Sequence, residues 1–447
     1  MPEASPNQPQ FKRSLGLLDG IVLLVGITIG AGIYSTPQKI AGYFSSFELI
    51  LAMWLLVGVF VFIGGLVYAE LGARFPRTGG EYVYISRAFG PEAGFIFGWA
   101  QLFIIRTSPA AGLAIITVDY LGHFVPLSES QQTLASLLLI ALLGTLNYVG
   151  IDRASRFQLI STVIKVGGIF FLVFAGLLLL DPDTVRFAET AAPSAGTSWF
   201  GRFGAAMLLI VFSYLGWDRV GYVAEEMRDP KRTVVRSMFW GISIVILVYV
   251  LANILYHGVL GIEGVRATKT VAAEVSVRLF GAWGAGLIAI SVMFSASGSI
   301  NGTMMTAPRV YYAMAHDGLF FKWFDYVHPL YRTPSRAILI HCLWAGVILL
   351  VRQNFENIVA GMTFAILIFY ATTALALFKF RRQSLGEKEG FRIPWYPALP
   401  GFYLAGIVTL LIIRVTFDFE KSLIDLAFIA TGLPFALYRF VKRSATS

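Results

Sequence analysis

Long apolar segments separated by short polar connections dominate the pattern of this chain. We count about twelve of them, each ~20 residues long, which is the length an α-helix needs to cross ~30 Å of hydrocarbon. Their approximate bounds are 15–42, 47–74, 92–121, 131–150, 157–180, 200–227, 233–260, 283–315, 337–352, 356–380, 398–416 and 421–441. The pattern predicts an all-α integral membrane protein with polar ends at 1–14 and 442–447. The start of the chain has no basic-then-apolar leader, so we expect the first span itself to direct insertion.

Composition and charge agree with a multi-pass protein of the cell membrane. Of the 447 residues 57% are hydrophobic and 14% are charged, and the mean hydropathy of +0.71 is too high for a single soluble core. The net charge of +9 comes from Lys and Arg scattered over short loops. Most of them fall on one side of the predicted spans, which places both termini in the cytoplasm. This scatter favours contact with anionic lipid over nucleic-acid binding.

Residues that would indicate an enzyme or a metal site are absent from the sequence pattern. The single cysteine, Cys342, lies inside an apolar span, where packing is its expected role. The five histidines have no ligand-like spacing, and neither a phosphate-binding loop nor an H-E-x-x-H motif occurs. We therefore predict no enzymatic activity, no cofactor and no metal.

The first span contains glycines where a membrane helix is least expected to be weakened. Gly26, Gly30 and Gly32 lie in its middle, and each glycine costs a helix interior about 1 kcal/mol relative to alanine. Hydrocarbon cannot satisfy freed backbone groups, so a broken helix is tolerated only beside a polar cavity. The break is therefore a candidate binding site. The alternative is that Gly26 and Gly30 form a G-x-x-x-G pair for close helix packing.

The sixth span is interrupted in a similar way. Ser213, Gly216, Asp218 and Arg219 lie near its centre. Breaks five spans apart are what an inverted five-plus-five repeat predicts, with the site at the midplane between the halves. We therefore predict repeats at 15–180 and 200–380, followed by two further helices at 398–441.

Five segments resemble one known family. They are V-G-I-T-I-G-A-G-I-Y-S-T-P from Val25, Y-A-E-L-G-A-R-F-P-R-T-G-G-E-Y-V-Y from Tyr68, F-I-I-R-T-S-P from Phe103, F-S-Y-L-G-W-D followed by E-E-M-R-D-P from Phe212, and S-A-S-G-S-I-N-G from Ser295. Together they are similar to the amino acid–polyamine–organocation superfamily, in its L-type amino-acid transporter branch. The resemblance implies the inverted-repeat fold with broken first and sixth spans, and transport of amino acids by alternating access.

An amino-acid substrate needs hydrogen-bond donors for its carboxylate and acceptors for its ammonium. The residues after the first break begin a new half-helix, whose free N–H groups and positive dipole end suit a carboxylate. Carbonyl groups left unpaired at both breaks suit the ammonium. The resemblance implies the same roles, with donors at Ala31, Gly32 and Ile33 and acceptors at Ile27, Thr28, Phe212, Ser213 and Leu215.

Two side chains of the sixth span are candidates for further roles. Phe212 matches the family position whose ring closes over the substrate, although it is also compatible with an ordinary core position. A carboxylate near the midplane, such as Asp218, costs ~2.5–3.5 kcal/mol and marks function. Asp218 is alternatively a partner of Arg219 or Arg106, and it favours either a cationic substrate group or a proton-sensitive site.

Lys165 lies in an otherwise apolar run near the middle of the fifth span, too deep to reach the surface. The family resemblance implies that its ammonium replaces a bound sodium ion. It would contact a first-span carbonyl, expected at Gly26, and an eighth-span hydroxyl from one of Ser291, Ser295 and Ser299, which recur on one helix face, with Ser295 the first choice. The alternative is that Lys165 pairs with a buried carboxylate.

Charged residues at the end of the sixth span form a candidate inner gate. Glu225 and Glu226 are expected within reach of Arg74, Arg77 or Arg87, although a solvated helix end is an open alternative. Three further charged residues within spans receive no partner from the sequence, namely Glu70, Arg106 and Asp119.

The function predicted from these features is sodium-independent transport of neutral amino acids in exchange mode. A proton-coupled amino-acid or polyamine carrier of the same fold is the first alternative, and a channel or nutrient-sensing receptor is a remote one. Animal members of the family pair with a glycoprotein through a cysteine in the third-to-fourth loop. This loop, Gly122 to Ser130, has no cysteine, so we expect a prokaryotic carrier that works alone as a monomer.

Overall fold

A computed structural model of the protein describes most of the chain and all of the predicted spans in whole or in part. The described residues are 12–30, 32–122, 124–179, 186–187, 190, 192–193, 198–268, 270–281, 283–352, 355–386, 390–417 and 419–437. Ala31, residues 1–11 of the predicted N-terminal tail and the predicted C-terminal tail at 442–447 therefore lie outside the described residues.

Within the described residues the chain is helical, apart from one isolated parallel bridge between Leu15 and Met227. The sixteen α-helices found there are α1 Leu17–Thr28, α2 Gly32–Tyr43, α3 Phe47–Arg74, α4 Glu81–Phe89, α5 Pro91–Ala100, α6 Thr107–Leu121, α7 Glu129–Tyr148, α8 Ile151–Leu179, α9 Trp199–Ser213, α10 Pro230–Ala267, α11 Val271–Phe280, α12 Trp283–His316, α13 Ser335–Arg352, α14 Phe355–Gln383, α15 Ala398–Phe417 and α16 Phe419–Ala430. The all-α prediction is confirmed.

The membrane prediction is confirmed by the length and composition of these helices. In the described part of the chain, eight helical segments are long and apolar enough to cross a bilayer, and two shorter apolar helices accompany them. The eight are Phe47–Arg74, Pro91–Leu121, Ile151–Gly176, Trp199–Glu226, Pro230–Ala267, Trp283–His316, Phe364–Gln383 and Ala398–Thr416. The protein is thus a multi-pass membrane protein, while the count of twelve spans stays a prediction.

Both predicted interruptions are present. The first half of the first span, α1, ends at Thr28, and the span resumes as α2 at Gly32, with Ile29 extended between them. The sixth span leaves the α conformation after Ser213, turns at Gly216 with φ +122°, and continues as a 3-10 segment over Trp217–Glu226. A left-handed φ of this kind favours glycine, which explains the residue at that turn.

A third interruption was not predicted. Between α5 and α6 the backbone forms a π-helical turn at Gln101–Ile105. Such turns carry an extra residue within an α-helix and are frequent at functional sites. The turn changes the direction in which Arg106, the residue that follows it, leaves the helix.

Packing places the broken spans in the interior. α10 lies against α1 and α3, and α12 lies against α1, α6 and α8. Side chains on the outer surface are apolar and exposed, as expected for groups that face lipid tails; examples are Leu138, Leu142, Phe174 and Phe200. The polar groups of the two broken spans are therefore enclosed by helices, away from the lipid.

Candidate functional site

The two breaks lie directly against each other. A Cβ atom added at Gly32 would lie 2.7 Å from Ser213 Cα and 2.8 Å from Ser213 Oγ. A Cβ atom at Gly216 would lie 2.7 Å from Ile27 Cγ2 and 3.2 Å from the backbone nitrogen of Thr28. Only glycine allows an approach this close, so both glycines serve to bring the half-helix ends of the two spans together.

A hydroxyl network links the breaks. Ser213 Oγ donates to Thr36 Oγ1 at 2.9 Å, which joins the sixth span to α2. The Tyr249 hydroxyl lies 2.9 Å from the Thr28 carbonyl oxygen and 2.7 Å from that of Ser213. One tyrosine of α10 therefore contacts both breaks at once.

The prediction that the carbonyls at the breaks are unpaired is wrong for several of them. The Ser299 hydroxyl lies 3.2 Å from the Ile27 carbonyl, Thr28 and Ser213 have the Tyr249 hydroxyl, and the Phe212 carbonyl accepts the backbone N–H of Leu215 at 3.1 Å. Side-chain hydroxyls occupy these positions because buried carbonyls without partners are costly. Each carbonyl oxygen has two lone pairs, so a second acceptor position remains on each.

The predicted side chains around the breaks differ in exposure. Ile33 is fully buried, whereas Phe212 and Leu215 are half-buried. Phe212 is thus partly accessible, and its gating role stays a prediction.

Lys165 connects three spans through backbone carbonyls. Its ammonium donates to Gly26 at 2.8 Å, to Ile29 at 2.6 Å and to Ser295 at 2.9 Å, and the side chain is fully buried. The three acceptors match the three donors of an ammonium group. The predicted contact with Gly26 is present, and among the described residues Lys165 has no carboxylate partner.

The predicted contact with the Ser295 hydroxyl is wrong. Lys165 meets the carbonyl of Ser295, while the Ser295 hydroxyl donates to the Ile29 carbonyl at 3.0 Å. The hydroxyl and the ammonium therefore share the oxygen of Ile29 as acceptor. Ser299 completes the arrangement, with its hydroxyl 3.2 Å from the Gly26 carbonyl. Carbonyl oxygens of the first and eighth spans thus surround the Lys165 nitrogen.

Asp218 is buried in a cluster of ionisable side chains. Arg106 Nη2 donates to its Oδ2 at 2.9 Å, Arg219 Nε lies 3.3 Å from the carboxylate, and the Tyr370 hydroxyl donates to Oδ1 at 3.0 Å. Both arginines considered from the sequence are thus its partners. Asp218 faces neighbours in the third, sixth and tenth spans rather than open space.

Glu81 is a site residue that the sequence reasoning missed. The hydroxyls of Tyr68 and Tyr222 each donate to its carboxylate at 2.5 Å, and Arg106 Nη2 lies 3.7 Å away. Glu81 belongs to R-T-G-G-E-Y, which reads as a loop between spans. Its signal was the family motif itself, because an acidic residue at the start of an apolar helix, α4, is otherwise explained as N-terminal dipole stabilisation.

The π-helical turn explains how Arg106 reaches these partners. The backbone N–H of Arg106 donates to the Gln101 carbonyl at 3.0 Å, five residues back, and its Nε contacts the Gln101 side chain. The Thr107 hydroxyl donates to the Leu102 carbonyl at 2.8 Å and so satisfies part of the distorted turn. The guanidinium is held by its own turn and by the carboxylates together.

The prediction that Glu226 pairs with Arg74, Arg77 or Arg87 is wrong. Glu226 forms a buried bidentate pair with Arg309 of α12, at 2.6 and 3.1 Å. Arg74 instead contacts Glu70, one turn earlier on α3, at 2.8 Å. The pair forms because α12 packs against the end of the sixth span. The assignment of charged residues to loops gives no information on this packing. Glu225 is half-buried beside this pair.

The chain before α1 closes over the same end of the sixth span. Leu15 donates its N–H to the Glu226 carbonyl at 2.9 Å and accepts the N–H of Arg228 at 3.0 Å. Lys12 pairs with Asp152 of α8 at 2.6 Å. The beginning of the first span and the end of the sixth are therefore joined by backbone as well as by side chains.

The structure also shows the surroundings of Glu70 and Asp119, the two remaining charged residues. Glu70 accepts hydrogen bonds from Arg381 at 2.6 and 2.9 Å and from the backbone N–H of Ile393 at 2.8 Å, in addition to Arg74. Asp119 is exposed at the end of α6. Glu70 is thus a structural anchor between the second and tenth spans.

We expect Glu226→Gln to destabilise the protein strongly. Removing one partner of a buried bidentate ion pair is strongly destabilising, by about 3–5 kcal/mol. The control is Glu274→Gln, which breaks an exposed pair with Arg278 and is worth at most about 1 kcal/mol. Thermal unfolding in detergent measures both variants, and equal melting temperatures would show that the Glu226 pair contributes nothing.

Comparison with known proteins places this architecture in a family. The sequence profile of the amino acid permease family matches residues 15–433. The chain is 28% identical to the serine/threonine exchanger SteT of Bacillus subtilis, over 98% of both chains. It is 28% identical to the human cystine/glutamate transporter, over 97% of this chain and 86% of that one. It is also 28% identical to the human b(0,+)-type amino acid transporter 1, over 85% and 79%. The broken spans and these matches together show that the chain belongs to the amino acid permease family, as the sequence resemblance predicted.

Proposed function

We propose that the protein exchanges neutral amino acids across the cell membrane by alternating access, without sodium. The contact between the two broken spans carries this proposal, because it brings helix-end donors and acceptors into one buried site. Relatives named as a serine/threonine exchanger and as amino-acid transporters support the substrate class. A channel needs a continuous path, whereas these paired helix ends suit an enclosed ligand.

Each end of the substrate backbone has a matching half-helix. The first N–H groups of α2, at Gly32 and Ile33, have no intrahelical partner and lie at the positive dipole end, which suits the carboxylate. The remaining lone pairs at Ile27, Thr28 and Ser213 suit the ammonium. Ala31 completes the donor set in this proposal, with Phe212 and Leu215 at its edge.

Lys165 supplies the charge that a sodium ion would otherwise supply. Its three carbonyl contacts tie the first, fifth and eighth spans together, and the charge is covalently attached. A carrier with a covalently attached ammonium at this position has no need of an external cation. We therefore assign Lys165, Gly26 and Ser295 to a cation-replacing site.

The same proposal assigns the two repeats and the inner gate of the carrier. We assign 15–180 and 200–380 to the two inverted repeats, with 398–441 as an addition outside them. Both termini face the cytoplasm, so the closed contacts of Leu15 and Glu226 form the inner gate. The third-to-fourth loop has no cysteine for a glycoprotein partner, and we propose that the carrier acts as a monomer.

Proton-coupled transport is the second candidate, and Asp218 is the observation that favours it. A buried carboxylate is a suitable proton acceptor. Against it, Asp218 already has two arginine partners. The exchange mode therefore ranks first.

We expect purified protein in liposomes to take up a labelled neutral amino acid much faster when the lumen contains unlabelled amino acid. Exchange requires a substrate on both sides to return the carrier, whereas net transport does not. Replacing sodium with choline should leave the rate unchanged. Equal uptake by loaded and empty liposomes, combined with stimulation by an imposed pH gradient that Asp218→Asn abolishes, would establish the proton-coupled carrier instead.

A further inference from the structure

Four charged side chains lie together beside the break of the sixth span. Glu81, Arg106, Asp218 and Arg219 are each at most 4% exposed, and we call them the charge cluster. Asp218 is two residues beyond Gly216, the glycine that contacts the first span at Ile27. The cluster thus borders the site proposed for the substrate, on the side of the third and tenth spans.

The formal charges of the cluster balance. Two arginines face two carboxylates, joined by the pair Arg106–Asp218 at 2.9 Å, by Arg219–Asp218 at 3.3 Å and by Arg106–Glu81 at 3.7 Å. Three tyrosine hydroxyls contact the cluster: Tyr68 and Tyr222 donate to Glu81, Tyr370 donates to Asp218, and Tyr222 also accepts from Arg106. Among the described residues, no further charged group contacts the four.

Although its charges balance, the cluster does not satisfy all of its hydrogen-bond donors. The Nη1 atoms of Arg106 and Arg219 are buried, and the described residues offer neither of them a hydrogen-bond partner. Buried donors with free N–H groups next to a ligand site are available to a ligand or to a bound water.

We propose that the charge balance of this cluster sets which side-chain charge the carrier accepts. This inference rests on the proposed amino-acid exchange and deepens it. A balanced cluster has no net charge and accommodates a neutral side chain. A charged side chain of the substrate is instead repelled by the cluster members that carry the same sign of charge. Removing one member leaves an uncompensated charge of known sign beside the substrate, so selectivity changes in a direction that depends on the member removed.

Asp218→Asn and Arg106→Gln are expected to shift selectivity in opposite directions. Without Asp218 the cluster has net charge +1 and should favour acidic amino acids. Without Arg106 it has net charge −1 and should favour lysine and arginine. One uncompensated charge beside the ligand, at the effective dielectric of a partly buried site, changes relative affinity by roughly tenfold or more. Competition by glutamate and by lysine against uptake of a labelled neutral amino acid measures both shifts.

Two further variants keep the test decisive if either of these fails to fold. Glu81→Gln removes the other carboxylate and should act like Asp218→Asn, and Arg219→Gln should act like Arg106→Gln. The matched control is Arg309→Gln, which breaks a buried pair of the same chemistry at the inner gate. It is expected to lower stability and leave the ratio of glutamate to lysine competition unchanged.

The outcomes separate this inference from the proposed function. Wild-type protein without amino-acid exchange would overturn the proposed function itself. Wild-type exchange of neutral substrates, with the same glutamate-to-lysine ratio in the folded cluster variants as in Arg309→Gln, would show that the cluster is only structural. The double variant Arg106→Gln/Asp218→Asn restores balance and should regain the wild-type ratio; a ratio that stays shifted would overturn the role of net charge.

Discussion

Lys165→Ala is expected to reduce amino-acid exchange roughly hundredfold, since hydrogen bonds to a charged group contribute about 1.5–3 kcal/mol each. The substitution leaves the carbonyls of Gly26 and Ile29 without their ammonium partner in a buried site. It also removes the link between the first, fifth and eighth spans. Lys165→Met keeps the length of the side chain and should fail in the same way.

The loss should appear in transport more than in substrate binding. Lys165 contacts the ends of the break rather than the donors of α2, so it acts on the equilibrium between conformations. The matched control is Lys39→Ala, because Lys39 is an exposed lysine on α2 and should have little effect. Liposome uptake, an equilibrium binding assay and the amount of folded protein distinguish the two effects. Full exchange by the alanine variant, or a sodium requirement in the wild type, would contradict a cation-replacing lysine.

The breaks of the first and sixth spans were predictable because their cause is local. Glycines and polar residues inside an apolar run conflict with helix formation wherever the chain folds. The contact of Lys165 with Gly26 followed from the family resemblance, together with the cost of a deep lysine. Such features can be predicted from the sequence near the residue, or from a family motif in which the contacting residues are already known.

Partnerships between distant segments were not predictable. Glu226 meets Arg309 and Glu81 meets Tyr222 only after the spans have packed, at separations of 83 and 141 residues. The π-helical turn before Arg106 depends on one extra residue, which helical periodicity over 91–121 does not reveal. The hydroxyl of Tyr249 reaches both breaks from α10, and no pattern around residue 249 distinguishes it from the other buried tyrosines.

The approach of the two breaks can be tested at Gly32. We expect Gly32→Val to abolish substrate binding, and Gly32→Ala to weaken it by about tenfold or more, since overpacking a close contact costs about 1–3 kcal/mol. The first carbon of either side chain would lie 2.7 Å from Ser213 Cα, so the sixth span would have to move away. Donors on α2 and acceptors near Ser213 would then no longer fit one ligand.

A glycine elsewhere in the chain separates this effect from a general intolerance of glycine replacement. Gly401 lies near the start of α15, and a Cβ atom there would meet nothing within 4 Å, so Gly401→Ala should bind and transport like the wild type.

The alternative role for Gly32 is close helix packing alone. The two roles predict different melting temperatures and different stabilisation by substrate. A packing role lowers the melting temperature in proportion to the loss of binding. A binding role leaves Gly32→Ala folded, with a melting temperature near that of Gly401→Ala, and removes substrate-induced stabilisation because the ligand no longer binds the native state. Wild-type affinity in Gly32→Ala would show that the close approach of the two breaks is not needed to hold the substrate.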